Sequence, residues 1–280
     1  EFFLELFSEE IPPSLQQNLR KDLLEKFKKL FAENFISFKN GSSFSTPNRA
    51  VIVFTGVQKK ILVKSEEIKG PNLNVPNVAL EGFIRSNKIS KNDLYKKKIE
   101  KGEFYFFRTK PKVLKTHDLL EEFIPIILKK IQWKKSMKWG EFDLNWGRPL
   151  KSILSIFDKK VVNFKFHHIS SSNSTFIDKD FEDKKKVFLN FDSYEKYFEN
   201  NNVIVDQNKR AKLMSQGFSK ILKKKKFTIQ DKPKLFDEVV NLIDNPCILL
   251  CSFDKKFLTI PKEILTLTMQ SHQKYFPIFD

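Results

Sequence analysis

The 280-residue chain carries 51 Lys and Arg residues against 34 Asp and Glu residues, a formal net charge of +17 at pH 7. Its hydrophobic fraction of 40% is enough to bury the core of one large domain or of two modest ones. No apolar run reaches the roughly eighteen residues that a membrane-spanning helix needs. The basic excess therefore favours a polyanionic partner, and we predict nucleic acid rather than a lipid surface.

The same composition supports a second interpretation of the charge. Six of the 51 basic residues are Arg and the other 45 are Lys, while the chain has 30 Phe and only 8 Gly. A coding bias towards Lys and Phe would add positive charge without any functional demand. Both interpretations stay open on composition alone.

The chain ends and the cysteines bear on the setting of the protein. The chain begins at Glu1 without a Met or a basic leader, and it stops at Asp280 close to an apolar run, so we expect a piece of a longer protein. The only cysteines, Cys247 and Cys251, lie in an apolar run and are too few for a disulfide scaffold. We therefore expect a reducing, cytoplasmic setting with both cysteines in the core.

Hydrophobic spacing predicts alternating strands and helices in the first half of the chain. The apolar run 2–7 predicts a buried strand, and apolar residues at helical spacing between positions 15 and 30 predict a helix capped by Ser14. The other predictions here are a strand over 50–54 with Arg49 at its entrance, a loop over 70–77, a hairpin of strands 94–98 and 104–108, and a helix over 119–131 that contains Pro125.

The second half continues the same alternation. Its predicted elements are strands over 153–157 and 161–166, a short helix over 192–199 capped by Asp192, a long helix from Asp206, a helix over 235–243, a strand over 247–253 and a helix over 261–270. The pattern predicts an α+β protein with two packed mixed lobes of short strands and amphipathic helices. We place these two domains at 1–150 and 151–280.

The sequence lacks the short motifs of a self-contained catalyst. It contains no G-x-x-x-x-G-K-[ST] phosphate loop, no G-x-G-x-x-G turn and no G-x-S-x-G elbow. The four His and two Cys residues do not fall at zinc-ligand spacing. Acidic pairs such as Glu9–Glu10 are typical of solvated surface. We therefore predict no catalytic residue, no metal site and no cofactor bound by this chain itself.

Several segments in a fixed order resemble the β subunit of the bacterial two-subunit glycyl-tRNA synthetases. They extend from residue 3 to residue 276 and so cover essentially the whole chain. The matching segments are Phe3–Pro13 with its Glu-Glu-Ile-Pro, Thr46–Ala50 for the family's T-P-R-R-L, Gly70-Pro71, Gly82-Phe83, Trp133–Gly140 for K-x-M-R-W, Arg148-Pro149, Leu242–Pro246 for L-V-E-x-P, and Met269–Phe276 for M-x-x-H-Q-[KR]-Y-F.

Some positions depart from the family pattern. Asn48 stands in place of the first Arg of T-P-R-R, and Lys138 replaces the Arg of M-R-W. The family's β subunit is also much longer, and its later HD-like and anticodon-binding regions are absent here. The resemblance therefore implies the front body of the subunit and no anticodon recognition by this piece.

The resemblance also implies a division of labour between two subunits. In this family the α subunit carries the site for glycine, ATP and Mg²⁺, and the β subunit holds tRNA and completes an α2β2 assembly. The implied partners are thus a glycyl-tRNA synthetase α subunit and tRNA(Gly), with ATP and Mg²⁺ at the α subunit.

A tRNA-holding role directs attention to basic and aromatic residues. Folded RNA is bound chiefly through its phosphates and its shape, so cationic side chains beside aromatic rings are expected. The segment 133–148 has this composition, and residues 272–274 add polar groups that can meet a phosphate or an opposing subunit. The predicted nucleic-acid-binding residues are Arg49, Lys134, Lys135, Lys138, Arg148, Arg210, His272, Gln273 and Lys274.

Other interpretations remain open at this stage. The tryptophans of 133–148 can belong to the core while their neighbouring lysines face water, and His272 can be a structural residue. The whole chain can instead be a free-standing basic RNA-binding module, which continuation of the gene past residue 280 would contradict. It can also be a protein-interaction scaffold, whose RNA affinity would not depend on any particular Lys.

Overall fold

A computed structural model describes residues 1–177, 185–225, 227–229 and 232–279. Within these residues the helices are α1 (Pro13–Glu33), α2 (Asn77–Asn87), α3 (Thr116–Lys129), α4 (Phe191–Asn200), α5 (Gln207–Lys225), α6 (Pro233–Val240) and α7 (Lys262–Ser271), with short 3-10 turns at Lys91–Asp93 and Lys255–Thr259. None of the described helices combines the length and the apolar composition that crossing a membrane requires.

The strands are mostly short. They are β1 (Phe2–Ser8), β2 (Asn40–Thr46), β3 (Arg49–Thr55), β4 (Lys60–Val63), β5 (Glu67–Asn72), β6 (Leu94–Ile99), β7 (Gly102–Arg108), β8 (Lys112–Lys115), β9 (Leu150–Phe157), β10 (Lys160–Val161), β11 (Lys165–Phe166), β12 (Ile169–Ser172), β13 (Ser174–Thr175), β14 (Lys186–Val187), β15 (Thr228–Ile229) and β16 (Ile278–Phe279). Together with the helices they confirm the predicted α+β class.

The chain forms two compact units, one of residues 1–58 with 120–280 and a smaller one of residues 59–119. This division corrects the predicted lobes 1–150 and 151–280. Strand β9, which begins at Leu150, pairs along its length with β1 at the start of the chain. Residues on both sides of position 150 therefore share one sheet, and a boundary there would separate hydrogen-bonded strands.

The larger unit is organised around a seven-stranded sheet in the order β11-β12-β9-β1-β3-β2, with β10 beside β9. Its central strand β1 pairs antiparallel with both β3 and β9. All seven residues of β1 are buried. A strand without an exposed face requires cover on both sides of the sheet, and this explains the continuous apolar run in the sequence.

Helix α1 covers one face of this sheet. Its apolar residues at helical spacing, among them Leu19 and Phe27, are buried. The Phe27 ring lies 5.3 Å from that of Phe2 on β1 and 6.3 Å from that of Phe54 on β3, measured between ring centroids. The predicted amphipathic helix is thus confirmed and its hydrophobic side packs on the sheet, but Ser14 lies inside the helix rather than at its cap, which is Pro12.

Helix α4 contributes to the core on the opposite face. Tyr194 and Phe198 pack there against Phe3 and the inward residues of β3 and β9. The helix begins as predicted, but its cap is Asn190, whose side-chain oxygen accepts a 2.8 Å hydrogen bond from the backbone N–H of Ser193. The prediction that Asp192 caps this helix was wrong.

A buried ion pair lies beneath α4. Glu5 on β1 is fully buried, and its Oε1 accepts hydrogen bonds from Nε of Arg49 at 2.9 Å and from the Tyr194 hydroxyl at 2.6 Å. Burial raises the pKa of Glu5, and the adjacent Arg49 charge opposes that rise. Burial and the Glu5 charge raise the pKa of Tyr194 well above its usual range, which keeps its hydroxyl proton available for this bond.

The Arg49 guanidinium is enclosed on every side. Its carbon lies 4.4 Å from the ring centroid of Phe7 and 4.6 Å from that of Phe198. Its Nη2 donates to the backbone carbonyls of Phe176 and Ile177. One side chain therefore connects β1, β3, α4 and the segment that follows β13.

The smaller unit contains a three-stranded antiparallel sheet in the order β5-β7-β6 and a separate pair of strands, β4 and β8. The predicted hairpin is confirmed as β6 and β7, and α2 begins where the predicted loop 70–77 ends, in a stretch for which the sequence predicted no element. Phe83 of α2 packs on Phe107 with ring centroids 5.8 Å apart. A Cβ at Gly70 would lie 2.7 Å from Cε1 of Phe83, so the Gly-Pro segment allows α2 to approach β5 closely.

The region after Asn241 differs most from prediction. The helix predicted over 261–270 is confirmed as α7, but the strand predicted over 247–253 does not form. Cys247 and Cys251 are exposed free thiols rather than core residues. That prediction was wrong because every residue of the run 247–253 except Ile248 is exposed, so no described element covers the run.

Replacing Arg49 by Ala should lower the free energy of unfolding by about 3–5 kcal/mol, because it leaves the buried Glu5 carboxylate without its cation. Urea denaturation compared with wild type measures this loss. A matched control is Lys21→Ala, which breaks the exposed 3.9 Å pair with Glu25 on α1 and should cost less than about 1 kcal/mol. Equal, small losses in both variants would contradict a structural role for the buried pair.

Candidate nucleic-acid interface

Two of the predicted RNA-binding residues lie inside the core. Arg49 is 2% exposed and Arg210 is 0% exposed. Neither guanidinium is available to an external phosphate in this fold, so their assignment as nucleic-acid contacts is corrected to a structural role. The physical reason is that backbone carbonyls and a buried carboxylate supply the acceptors that RNA would otherwise provide.

Arg210 on α5 connects several elements through carbonyl oxygens. It donates to the carbonyls of Val240 at 3.0 Å, Ile204 at 2.6 Å and Ser45 at 2.8 Å. Burial lowers the pKa of Arg210 to about 10, which still leaves it charged at neutral pH. The side chain thereby connects α5 to β2 and to the end of α6.

A second arginine reaches the same place from α1. Arg20 donates to the side chains of Ser45 and Asn241, the latter at 2.9 Å. Gln16 donates to the carbonyl oxygen of Asn241 at 2.7 Å. The larger unit therefore contains two buried polar networks, one around Glu5 and one around Ser45.

The segment 133–148 keeps its lysines at the surface. Lys134, Lys135 and Lys138 are exposed, and Arg148 is half-buried. Lys138 lies 3.3 Å from Asp143 in an exposed pair, and Arg148 donates to the neighbouring Gly147 carbonyl at 2.9 Å. The three lysines remain a predicted RNA contact.

The tryptophans of this segment pack inwards to different depths. Trp146 is buried, with its ring 5.1 Å from Trp133 and 5.3 Å from Phe166 between centroids. Trp139 is half-buried beside His168, at 6.0 Å. The tryptophans thus hold the segment on the larger unit, and the lysines are the groups that face solvent.

The predicted cluster after α7 is divided between solvent and an internal pair. His272 and Gln273 are exposed at the C-terminal end of the helix. Lys274 is half-buried, and its Nζ lies 2.9 Å from Glu238 of α6. An RNA phosphate would have to compete with that carboxylate for Lys274, whereas His272 and Gln273 remain accessible.

The smaller unit has the highest density of positive charge. Residues 59–119 contain 15 Lys and Arg against 7 Asp and Glu, a net charge of +8 in 61 residues. The other 219 residues contain 36 basic against 27 acidic residues, a net charge of +9. A uniform coding bias does not predict such a concentration.

Strand register places basic and aromatic side chains of this unit on one face of its sheet. Phe106 of β7 is paired with Lys69 of β5 and Tyr95 of β6, and Phe104 is paired with Lys97. Directly paired residues of antiparallel strands project to the same side. Together with Arg108, two residues along β7, they form a surface that we call the basic sheet face. Its members are Lys69, Tyr95, Lys97, Phe104, Phe106 and Arg108.

The cations of the basic sheet face lie on its rings. Nζ of Lys69 is 3.5 Å from the Phe104 ring centroid, and Nζ of Lys97 is 5.4 Å from that of Phe106. Tyr95 stacks on Phe106 with centroids 6.2 Å apart and an interplanar angle of 26°. Cations and rings side by side can meet both the phosphates and the bases of an RNA strand.

Glu67 supplies a local counter-charge to this face. Its carboxylate accepts hydrogen bonds from Nζ of Lys97 at 2.5 Å and from the Tyr95 hydroxyl. These hydrogen bonds lower the pKa of Glu67 below its usual range. The carboxylate orients Tyr95 and Lys97 while Lys69 and Arg108 stay exposed. The sequence did carry a signal for this surface, because Lys96-Lys97-Lys98 lies opposite the aromatic run 104–107 across the predicted hairpin.

One group on α3 has the composition of a metal site. Ligand atoms of His117, Asp118 and Glu121 lie within 4.8 Å of one another. One Glu121 oxygen already accepts a 2.9 Å hydrogen bond from the backbone N–H of Asn163, and Asp118 is exposed. Acidic groups on a helix surface commonly lie this close without an ion, and we assign no metal here.

A sequence model of the family described as glycyl-tRNA synthetase beta subunit matches residues 2–280. This chain belongs to that family. Among similar proteins are the glycine–tRNA ligase beta subunits of Rickettsia prowazekii (strain Madrid E), at 38% identity, and of Rickettsia canadensis (strain McKiel), at 37%. Both alignments cover 100% of this chain and 42% of the relative.

The family segments now have places in the fold. The Thr46–Ala50 segment forms the turn between β2 and β3 and delivers Arg49 to the core. The Trp133–Gly140 segment packs on the larger unit, and the Met269–Phe276 segment includes the end of α7. The fold accounts for Arg49 in the first segment, because its side chain is part of the core. The other two segments keep exposed polar side chains, Lys134, Lys135 and Lys138 in one and His272 and Gln273 in the other.

Removing the Trp146 ring should lower the free energy of unfolding by about 3–5 kcal/mol, because Trp146→Ala empties a buried site. The triple variant Lys134→Ala, Lys135→Ala, Lys138→Ala should change it by less than about 1 kcal/mol, since these side chains face water. Urea denaturation of both variants measures the difference. A large loss in the lysine variant would show that the lysines belong to the packed segment.

Proposed function

We propose that this chain is the tRNA-holding front body of a glycine–tRNA ligase β subunit. Its family membership supplies the reaction, the ATP-dependent attachment of glycine to tRNA(Gly). The basic sheet face supplies the contact, and it is the observation on which the proposal rests. In this proposal the partner α subunit binds glycine, ATP and Mg²⁺, and the two subunits form an α2β2 assembly.

The chemistry of the basic sheet face suits the backbone of a folded RNA. Lysine is a compact point charge that meets a phosphate from many directions and does not select a base. The exposed ring of Tyr95 and the half-buried ring of Phe104 offer surfaces for an unpaired base, which RNA presents at its loops and ends, whereas the Phe106 ring is buried. Such a surface holds tRNA and leaves recognition of its sequence to other parts of the enzyme.

The exposed lysines of 133–148 are the second candidate contact. They lie in the larger unit, whereas the basic sheet face lies in the smaller one. Each group has three cations that can be removed without touching the buried networks. The two surfaces can therefore be tested independently with variants of equal charge change.

We expect the chain to bind tRNA with an affinity that falls steeply with salt, with a log–log slope of about −3 to −4 if four phosphates are neutralised. The triple variant Lys69→Ala, Lys97→Ala, Arg108→Ala should reduce that slope by about 2 to 3, because each lost phosphate contact removes nearly one released counterion. Fluorescence anisotropy with labelled tRNA between low and physiological salt measures both slopes.

The control removes the same charge from another surface. Lys21→Ala, Lys28→Ala, Lys29→Ala strips three exposed lysines from α1 and should leave the salt slope nearly unchanged. The lysine triple of 133–148 is measured alongside it. If all three triple variants lower affinity equally, binding follows net charge alone, and the scaffold interpretation replaces the proposed one.

We also expect the purified chain to show no glycine-dependent exchange of pyrophosphate into ATP at any Mg²⁺ concentration. Activation of glycine needs a site that stabilises the charge growing on the α-phosphate, and the proposal places that site in the α subunit. Exchange is measured with labelled pyrophosphate after the host's own synthetase has been removed. Activity that persists in the pure chain would move the chemistry into this subunit.

A further inference from the structure

The segment after α6 exposes many large apolar side chains. Among the described residues, Asn241 is the last one that is buried. Nine large hydrophobic side chains between positions 249 and 275 are exposed, out of twenty in the described chain. They are Leu249, Leu250, Phe253, Phe257, Leu258, Ile260, Ile264, Leu267 and Tyr275. We call this surface the C-terminal apolar face.

The C-terminal apolar face belongs to a segment that is attached at both ends. Ile248 packs so closely on α5 that a Cβ at Gly217 would lie 2.5 Å from its Cγ1. Phe276 packs on Phe218, the next residue of α5, with ring centroids 4.9 Å apart. The chain between these two contacts forms a loop with a 3-10 turn and α7, and most of its large apolar side chains are exposed.

Open clefts lie between this segment and residues 228–229 and 232–238 of the larger unit. One cleft of about 550 Å³ is lined by Thr228, Lys262, Leu267 and Phe279 among others, and another of about 560 Å³ lies between α6 and the end of α7. Helix α7 borders open clefts and exposes Ile264 and Leu267, so no described element covers that side of the helix. Exposed apolar surface of this extent marks an interface.

We propose that the polypeptide following this region in the full-length subunit packs on the C-terminal apolar face. The curated relatives match this chain over their N-terminal 42%, so more than half of each relative lies beyond the matched region. Consecutive elements of a chain usually lie next to each other in space. A tethered segment also meets the face at a high effective concentration, which a separate protein does not.

The chemistry of the face favours a protein domain over RNA. Its exposed residues are aliphatic and aromatic side chains, with only Lys255, Lys256 and Lys262 against Asp254 and Glu263 between 254 and 263. Apolar contact of this kind is typical of interfaces that stay formed. This packing is inferred from the length of the relatives and from the exposed side chains of the face, and it does not depend on the proposed tRNA contact.

The labelling rates of the two native thiols measure directly whether the C-terminal apolar face is covered. Cys247 and Cys251 are exposed here and lie within the apolar segment. In the purified full-length β subunit without α subunit, we expect N-ethylmaleimide to label both at least about tenfold more slowly than in the urea-unfolded subunit, because labelling then requires local opening. Peptide mass spectrometry assigns each labelled thiol, and hydrogen exchange of residues 249–275 measures the same cover independently.

Three other outcomes would overturn the proposal. Fast labelling that slows only when α subunit is added would overturn the proposal in favour of a subunit interface. Protection that appears only as the protein concentration is raised would assign the face to a second copy. Fast labelling under all conditions would show that the face is uncovered.

Two substitutions in the face and one matched control support the thiol measurement. Leu258→Glu and Leu267→Glu place a carboxylate at positions 65% and 62% exposed in this structure, and Leu62→Glu does so at a position 63% exposed in the smaller unit. In the full-length subunit we expect the first two to increase the labelling rate of Cys251 about tenfold or more, since they loosen a buried contact. Leu62→Glu should leave the rate unchanged, and equal effects at all three positions would contradict the proposal.

Discussion

Glu5 and Arg49 place a carboxylate and a guanidinium inside a sheet that has packed helices on both faces. Neither charge is tolerable there alone, because the effective cost of moving one ion out of water is several kcal/mol. The pair is stable only when β1 and β3 are in register, α4 brings Tyr194 to the carboxylate, and the backbone at 176–177 brings its carbonyls to the guanidinium. A shift of β1 by one residue would turn Glu5 to the α1 side, where the buried side chains are mostly Leu and Phe. The interaction therefore specifies the arrangement of the larger unit more than it adds to its stability.

Periodicity was enough to predict most elements of that unit, because burial on one or two faces leaves a pattern that a sequence shows directly. Strand β1, helix α1 and the β6–β7 hairpin follow from this pattern. The environment of a cation leaves no such pattern. Arg49 and Arg210 were expected at an RNA surface because they are basic, and their carbonyl acceptors come from residues up to 165 positions away. A signal was present for Arg49, since it adjoins an apolar strand and a single acid interrupts the other one.

At the C-terminal apolar face the sequence prediction was wrong in the opposite direction, because residues predicted to be buried are exposed. The apolar run 247–253 has the composition of a buried strand, and on that composition we predicted a strand with both cysteines in the core. In this chain the same residues are exposed because the surface that they need is not among the described residues. In the proposed packing of the following polypeptide, the missing strand and the exposed thiols have one physical origin.

Arginine and lysine have separate roles in this fold. Arg49, Arg210 and Arg20 use the planar guanidinium to satisfy several oxygen acceptors at once inside or near the core, which an ammonium group cannot do with the same geometry. The exposed lysines of the basic sheet face and of 133–148 remain in water, where they contribute mainly to the electrostatic field. Coding bias can account for how many lysines the chain has, but not for their concentration in residues 59–119 or for their position over aromatic rings. In the proposed tRNA contact, these lysines and rings meet the phosphates and ring faces of RNA without selecting its bases.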